Sequence, residues 1–326
     1  MEYMPEFRTA RPATMAEAVA IKAAEPGARF LAGGTDLVPN IRRGIVAPPT
    51  VIDLAGIAEM RGIEPLAGGL RIGAAVTLAE LAAHERVRTA YGGLAQAAGG
   101  VAANTHREVA TVGGNLCLDT RCVFYNQSEW WRRANDYCLK SKGEVCHVAP
   151  KGDHCFAAFS GDLAPALLVI GAEVEIIAPK GSRVVPLGAI YQDDGIDYLL
   201  LEADEMIAAV RLPALAEGFR TGYAKSHVRS AIDFPLAGVA VGLRREGKAI
   251  AELRIALTGT NSMPLAIEGT EGLTGGPPDE AMLEGLDALI GRQIQPMSST
   301  FSPPGYRRRV VAKLTRSMIR ALYLGG

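Results

Sequence analysis

The residues with the clearest chemical potential are five cysteines that lie close together in the chain. All five fall between positions 117 and 155, and the rest of the 326-residue sequence contains none. Such crowding is rare by chance, so a shared role is the better hypothesis. The cysteines are Cys117, Cys122, Cys138, Cys146 and Cys155.

Three roles compete for this group. A disulfide framework suits a short secreted chain, whereas this chain is long, has an odd number of cysteines and starts without a secretory signal pattern. Structural zinc usually shows matched, closely spaced cysteine pairs, which are absent here, although His147 and His154 each adjoin a cysteine and could complete a zinc site. An iron–sulfur cluster needs four converging thiolates, which irregular loop spacings can supply. With Cys117 as the spare residue, because it directly follows a Gly-Gly-Asn turn, the predicted cluster ligands are Cys122, Cys138, Cys146 and Cys155.

Two glycine pairs could bind the phosphate groups of a nucleotide. In residues 31–37 a predicted strand stops at Gly33 and Gly34, ahead of residues that favour a helix start. The second pair lies in residues 111–115. Glycines let backbone N–H groups turn toward one point, and a helix N-terminus adds partial positive charge. Each pair is also compatible with an ordinary turn at the end of a strand, and the sequence has neither the Rossmann nor the P-loop signature.

The overall composition limits the classes of partner. Hydrophobic residues make up 48% and charged residues 21%, and 34 Lys and Arg nearly balance 35 Asp and Glu, for a net charge of -1. This composition is typical of a soluble globular protein, and it supplies no broad positive field for nucleic acid or an anionic membrane. No stretch approaches the roughly 20 apolar residues of a membrane span. We therefore expect a cytoplasmic protein that binds neither nucleic acid nor membrane.

Short strands and helices must position the glycine pairs, and the first half of the chain carries signals for both. Thr14 with Glu17 and Thr77 with Glu80 form capping boxes, each of which predicts a helix start. Residues 91–103 are rich in Ala and Gly and are compatible with a tightly packed helix. Apolar runs bounded by Gly or Pro predict strands at residues 30–32, 51–53 and 70–73.

The second half changes to alternating patterns that predict antiparallel strands, with a domain boundary near residues 213–218. The last predicted helix, about 306–323, carries one apolar stripe and an opposite arginine face. The stripe contains Val310, Leu314, Met318 and Leu322, and the opposite face contains Arg308, Arg309 and Arg316. The predicted strands are 173–177, 183–187, 206–212, 222–227, 236–243 and 251–257, and a further helix is predicted at 279–290.

Together the two glycine motifs resemble the FAD-binding (medium) subunits of the molybdenum hydroxylase family, which includes xanthine dehydrogenase and carbon monoxide dehydrogenase. The resemblance covers nearly the whole chain. In that family the second motif leads into an Asp-Leu-x-Pro-Ala-Leu-Leu stretch, which occurs here at residues 162–168. Here an extra segment, the cysteine insert (about residues 120–160), separates the two and holds four of the cysteines. The insert resembles the β subunit of the 4-hydroxybenzoyl-CoA reductase type, whose flavin subunit carries an additional 4Fe–4S cluster.

The resemblance implies an α+β fold and a set of FAD contacts. An FAD-binding domain of the vanillyl-alcohol-oxidase-like (PCMH) type would comprise subdomains 1–55 and 56–217, the second with the cysteine insert, followed by a smaller C-terminal α/β domain at 218–326. Residues 31–37 and 111–115 would hold the FAD pyrophosphate and neighbouring groups. Asp162 matches an acidic FAD-binding position, and Lys225 matches a lysine near the flavin ring. The implied contacts are Leu31, Ala32, Gly33, Gly34, Thr35, Asp36, Leu37, Thr111, Gly113, Gly114, Asn115, Asp162 and Lys225.

The resemblance also implies the reaction and the partners. The chain would carry FAD and one 4Fe–4S cluster and transfer electrons from ferredoxin, while none of its own residues acts as a catalytic acid or base. A large subunit would carry the molybdenum cofactor and a small subunit two 2Fe–2S clusters, in a dimer of heterotrimers. The overall reaction would be the reductive dehydroxylation of 4-hydroxybenzoyl-CoA to benzoyl-CoA, a step of anaerobic aromatic degradation. Two alternatives stay open: a medium subunit of an ordinary hydroxylase that passes electrons to NAD or oxygen, and a zinc-stapled flavoprotein scaffold.

Overall fold

The computed structural model describes residues 4–229 and 232–325, which are organised around three successive sheets. The first sheet is parallel, with strand order β1-β3-β2, and its helices lie in the connections between the strands. Its elements are β1 (Arg8–Ala10), α1 (Met15–Ala24), β2 (Arg29–Leu31), α2 (Leu37–Arg42) and β3 (Thr50–Asp53). Thr14 caps α1 by accepting a hydrogen bond from the Glu17 N–H, as the sequence predicts.

The second sheet is antiparallel and has the order β4-β5-β8-β6-β7. Between its second and third strands in the chain lies a run of mostly short helices, which includes the cysteine insert. Thr77 and Glu80 form the complete capping box predicted for α3. The elements are β4 (Ile63–Leu66), β5 (Gly69–Gly73), α3 (Leu78–Ala83), α4 (Glu85–Ala90), α5 (Gly92–Gly100), α6 (Asn104–Arg107), α7 (Val112–Leu116), α8 (Glu129–Ala134), α9 (Leu163–Ile170), β6 (Glu173–Ala178), β7 (Gly181–Pro186) and β8 (Met206–Leu212).

The third sheet is antiparallel with the order β12-β11-β10-β9, and two long helices follow it. The elements are β9 (Arg220–Ser226), β10 (Ala237–Glu246), β11 (Ala249–Thr258), β12 (Leu265–Ala266), α10 (Glu280–Gln293) and α11 (Pro304–Leu324). The predicted α+β fold is confirmed. The predicted boundaries near residues 55 and 217 fall in the connections between sheets and remain predictions of domain limits.

Two apolar cores hold these layers together. The larger core joins the first two sheets around α9, in which seven of the eight residues are buried, and it extends to Tyr223 and Ala240 of the third sheet. The smaller core lies between the third sheet and helices α10 and α11. Fully burying a Leu or Ile side chain contributes about 1.5–3 kcal/mol, so both cores are large enough to fix the position of the loops between them.

The buried face of α11 differs from the predicted one by one position. The fully buried side chains are Arg307, Val311, Thr315 and Ile319, whereas the predicted stripe of Val310, Leu314, Met318 and Leu322 is partly buried beside them. Arg307 can lie inside because its guanidinium donates to the Leu236 and Met297 carbonyls at 3.1 and 2.8 Å. The buried stripe therefore includes two polar residues, Arg307 and Thr315, which an apolar sequence pattern does not reveal.

The cysteine insert leaves and rejoins the fold at one pair of residues. Arg121 and Ala158 are antiparallel partners whose N–H groups each donate to the other's carbonyl at 2.8 Å. Among the described residues of the insert, α8 is the one regular helix. A small cluster of buried side chains forms the interior of the insert. None of the helices in the described part of the chain is both long and apolar enough to cross a membrane.

Candidate functional site

A cavity of about 490 Å³ opens between the first two sheets and is also lined by the loop after β9. This volume falls within the usual range for small-molecule and cofactor sites. The residues predicted to contact FAD that line it are Ala32, Gly33, Gly34, Thr35, Asp36, Leu37, Thr111, Gly113, Gly114, Asn115 and Asp162. Leu31 lies in β2 behind this wall, and Lys225 lies behind Asp162.

The first glycine pair makes a tight loop between β2 and α2. A Cβ on Gly33 would lie 1.9 Å from the Val109 carbonyl oxygen, so only glycine permits this close approach to the segment before Thr111. Gly34 has a φ of 72°, in the left-handed region that favours glycine. Within the described residues, no hydrogen bond uses the N–H groups of Gly33, Gly34 or Thr35. These N–H groups are therefore available to a ligand in the cavity.

The second glycine motif is a short helix rather than the predicted turn. Thr111 is the N-cap of α7, and its hydroxyl accepts from the Gly114 N–H at 3.1 Å. The Gly113 N–H donates to the Ala74 carbonyl at 2.8 Å. Because the fold already uses these donors, this motif shapes the wall of the cavity and the first loop supplies the free backbone N–H groups. Asn115 joins the motif to α9, since its side-chain oxygen accepts from the Leu163 N–H at 3.0 Å.

Asp162 and Lys225 form a buried ion pair at the base of the cavity. The Lys225 Nζ lies 3.0 Å from the Asp162 Oδ1, and the two side chains are 8% and 4% exposed. The Tyr223 hydroxyl donates to the same carboxylate oxygen at 2.6 Å. Burial raises the pKa of Asp162 above its ordinary value, while Lys225 and Tyr223 act in the opposite direction. Lys225 is therefore a buried charge and not a surface residue. It can affect a ligand in the cavity through its ion pair with Asp162.

Sequence reasoning missed two polar residues of the cavity wall. Arg121 is buried, pairs with Asp36 and donates to the Asn40 side chain at 2.9 Å. His106 has a buried Nδ1 that finds no hydrogen-bond partner among the described residues, which is consistent with a ligand in the cavity. The one sequence feature that points to Arg121 as a site residue is its position directly before Cys122. The sequence around His106 contains no comparable feature.

The cysteine insert brings four cysteines together. Cys122, Cys138, Cys146 and Cys155 are only 5–8% exposed. Cys122, Cys138 and Cys155 belong to the same small buried cluster. Burial, with smaller effects of Cys138 and Cys146, raises the pKa of Cys122 to about 11, while the neighbouring Cys155 thiol lowers the pKa of Cys146 to about 5.

The chain turns directly after three of these cysteines. The N–H groups of Tyr125, Ser141 and Ala149 donate to the carbonyls of Cys122, Cys138 and Cys146 at 3.1, 2.8 and 3.0 Å. Nearby backbone N–H groups act to lower the pKa of the Cys122 and Cys138 thiols, but burial outweighs them and raises the net pKa of both.

Cys117 stands apart from this group. It lines the cavity, and the groups that interact with it are Tyr191 and Tyr198 rather than the other cysteines. Burial raises its pKa to about 12. The division into four grouped cysteines and one separate cysteine is the one the sequence predicts, while their role as ligands remains a prediction.

Comparison with known proteins gives a consistent match along the chain. Residues 5–215 match a family described as the FAD binding domain in molybdopterin dehydrogenase, and residues 222–322 match the CO dehydrogenase flavoprotein C-terminal domain. The FAD-binding subunit of aldehyde oxidoreductase from Escherichia coli K12 is 35% identical over 278 residues, which cover 82% of this chain and 86% of that protein. The carbon monoxide dehydrogenase medium chain of Hydrogenophaga pseudoflava is 29% identical over 81% of this chain and 78% of its own length.

Solved structures agree at the level of the fold. A carbon monoxide dehydrogenase structure from Hydrogenophaga pseudoflava superposes with a TM-score of 0.82 over 99% of both chains, at 22% sequence identity. A structure of the reconstituted enzyme from Oligotropha carboxidovorans gives 0.82 over 99% of this chain and 100% of that one, at 23% identity.

Proposed function

Because the chain belongs to the family of FAD-binding subunits of molybdopterin dehydrogenases, we propose that it binds FAD and one 4Fe–4S cluster and transfers electrons within a larger molybdenum enzyme. The observation that carries the cluster is the convergence of four buried cysteines in one short insert, three of them in the same small buried cluster. When bound, the two groups supply two-electron and one-electron redox chemistry respectively.

The cavity fits FAD on three grounds. The free N–H groups of Gly33, Gly34 and Thr35 suit the oxygens of a pyrophosphate. The buried His106 Nδ1 lacks a partner among the described residues. The ion pair of Asp162 and Lys225 supplies fixed charge at the base of the cavity. These residues would bind and orient the cofactor, and the buried walls would exclude water from it.

The cysteine geometry favours a cluster over a single zinc ion. Zinc requires its ligands about 2.1–2.3 Å from one point. Among the described residues, no three His, Cys, Asp or Glu side chains are arranged to hold one metal ion. His147 instead contacts the Tyr137 carbonyl at 2.5 Å, and His154 contacts Asp153 at 2.8 Å. A cluster of four irons accepts sulfurs spaced more widely around it.

The insert also suggests the direction and the partners of the reaction. Removing a hydroxyl from an aromatic ring requires strongly reducing electrons, and 4Fe–4S clusters reach potentials far below ordinary flavins. We therefore propose that ferredoxin donates electrons through the insert to FAD and on to a molybdenum subunit and a 2Fe–2S subunit, which reduce 4-hydroxybenzoyl-CoA to benzoyl-CoA. A dimer of heterotrimers and a cytoplasmic location belong to the same proposal.

A second candidate follows from the relatives. Aldehyde oxidoreductase and carbon monoxide dehydrogenase subunits match most of the chain, and their names describe oxidations. In this alternative, electrons leave the flavin for NAD or oxygen and the cysteine insert has a structural role. Metal content separates the two candidates, because the alternative does not require iron in this subunit.

The direct test is metal analysis of anaerobically purified protein with its partner chains. We expect about four irons per copy of this subunit, in addition to about four from the two 2Fe–2S clusters of the small subunit. Replacing any one of Cys122, Cys138, Cys146 or Cys155 with Ser should sharply lower the additional four. Cys117→Ser is the matched control, because Cys117 lies apart from the group, and it should retain the iron.

Two results would contradict the cluster. Zinc in place of iron in the unmodified protein would support the zinc-stapled scaffold instead. Equal iron loss from the Cys117 variant would show that the ligand set was chosen wrongly.

A further inference from the structure

Lys140 of the cysteine insert is a buried ammonium group with every proton paired. Its side chain is 6% exposed, and Nζ donates to Asp119 at 2.7 Å, to the Thr120 hydroxyl, and to the Gly195 carbonyl at 2.6 Å. The rings of Tyr125 and Tyr198 lie over the same nitrogen, with centroids 5.1 and 5.6 Å away. Burying a charge is costly unless it is paired in this way, so a lysine here is not explained as a solvated surface residue.

The partners of Lys140 connect the grouped cysteines to the wall of the FAD cavity. Lys140 itself follows Cys138 by two positions in the chain. Gly195 lies against Cys155: its N–H donates to the Cys155 carbonyl at 2.7 Å, and a Cβ on Gly195 would be 2.7 Å from the Cys155 sulfur.

On the cavity side, Asp119 follows Leu118, which lines the cavity. The Tyr198 hydroxyl donates to the Cys117 carbonyl at 2.9 Å, and Cys117 lines the same wall. The Lys140 ammonium group therefore contacts Gly195, which lies beside Cys155, and Tyr198, which is bonded to a residue of the cavity wall.

Lys140 places its positive charge beside the Cys155 sulfur, because its hydrogen-bond partner Gly195 lies against that sulfur. Asp119 carries the opposite charge, and its side chain is 26% exposed, whereas that of Lys140 is 6% exposed. Water therefore screens the charge of Asp119 more than that of Lys140. A nearby positive charge stabilises the more negative, reduced form of a cluster and so raises its reduction potential.

We propose that Lys140 is a positioning residue that locks the cysteine insert onto the FAD domain and raises the reduction potential of the cluster. This inference rests on the proposed function, because it requires the cluster. Asp119 opposes the effect, so the two residues set the potential in opposite directions.

The test is a redox titration of the purified holoprotein with its partner chains, in which the cluster is followed by electron paramagnetic resonance and the flavin by visible absorbance. Lys140→Gln should retain FAD and iron and shift the cluster midpoint to a more negative potential. Asp119→Asn should shift it to a more positive one. Lys140→Arg keeps the charge and should stay near the unmodified protein. Lys142→Gln, an exposed lysine in the same insert, is the control and should leave the midpoint unchanged.

The outcomes separate this inference from the function beneath it. If Lys140→Gln fails to assemble, the shift of the cluster midpoint potential in Asp119→Asn is the remaining test, and it should be positive. An unshifted midpoint, or shifts of the same sign in both variants, would overturn the role of Lys140 while leaving the cluster in place. An unmodified complex with no iron beyond that of the 2Fe–2S clusters would overturn both.

Discussion

Gly33 and Gly34 shape the same loop for different physical reasons. Gly33 is required because the Val109 carbonyl would lie 1.9 Å from any Cβ, and Gly34 is required because its φ of 72° is unfavourable for other residues. The first restriction fixes the loop against the segment that precedes the second glycine motif, and the second sets the backbone conformation of the turn. Together they account for a tight loop with free N–H donors in the cavity wall.

We expect Gly34→Val to lose FAD while the chain still folds. The left-handed conformation costs a branched residue roughly 1–2 kcal/mol, which the chain can bear, but relaxing that strain would move the N–H groups of the loop. Flavin released by acid from the purified variant measures the effect. Gly247→Val is the control, since Gly247 has a φ of 59° with no neighbour within 4 Å and lies in the β10–β11 hairpin; it should retain flavin. A Gly34 variant with full flavin content would exclude this loop as the phosphate site.

At the residue scale, residue type was the basis of the prediction about the cysteines. The crowding of cysteines predicted that four of them would group and that Cys117 would stand apart. The ion pair of Asp162 with Lys225 was not predictable, because it joins residues far apart in the chain that only the packing of α9 against β9 brings together. Arg121 and His106 were missed for the same reason.

The helices and strands show what periodicity can and cannot reveal. The long strands and α10 were predicted within a few residues because their apolar patterns repeat several times. α7 was taken for a turn because two consecutive glycines lower helix propensity, yet the Thr111 cap and packing on Ala74 stabilise it. In α11, the polar residues Arg307 and Thr315 concealed the buried stripe. Arg307 donates to the Leu236 carbonyl outside the helix, and the Thr315 hydroxyl donates to the Val311 carbonyl one turn earlier in the same helix.

One ion-pair group ties three strands of the second sheet together and predicts a pH effect. Glu175 of β6 accepts from Arg71 of β5 at 2.8 Å and from Arg211 of β8 at 2.6 Å. Burial acts to raise the pKa of Glu175, but the two arginines outweigh it and the net pKa lies below its usual 4.5. A carboxylate with a depressed pKa stabilises the fold at pH values above 4.5 and loses that effect as the pH falls through the lowered value.

Glu175→Gln should therefore lower the free energy of unfolding by about 1.5–3 kcal/mol at neutral pH. The difference from the unmodified protein should shrink steadily as the pH falls below about 5. Thermal unfolding midpoints measured across this range would show it. Glu173→Gln, an exposed position on the same strand, should have little effect at any pH. A difference that stays constant with pH would mean that the carboxylate charge contributes nothing.

At the scale of the whole molecule, the chain enters and leaves the cysteine insert at a single residue pair. Arg121 and Ala158 face each other in antiparallel pairing, so a short linker can close the gap between them. A cut that also removed Arg121 and Phe159 would damage the remainder. Arg121 lines the FAD cavity, and Phe159 is fully buried with its carbonyl bonded to the Gly259 N–H at 2.8 Å.

Deleting residues 122–157 and joining the ends with a short glycine linker should leave FAD bound and abolish reduction by ferredoxin. The reason is that the cavity wall remains apart from Asn126, while the proposed inlet for electrons is removed. Stopped-flow measurement of flavin reduction in the assembled complex tests this, with dithionite as the positive control for a functional flavin. Undiminished reduction by ferredoxin would show that electrons enter elsewhere.

The small buried cluster inside the insert has a further consequence for biosynthesis. Its interior consists mainly of Cys122, Cys138, Cys155, Tyr125 and Ala157, with few large aliphatic side chains. A core of this kind gains little from the hydrophobic effect alone, so the proposed cluster would supply much of the stability of the insert. Newly made chains would then present an accessible loop to cellular proteases until iron and sulfide are delivered. Maturation of the insert would thus act as a quality-control step, because chains without the cluster would be degraded before they join a complex.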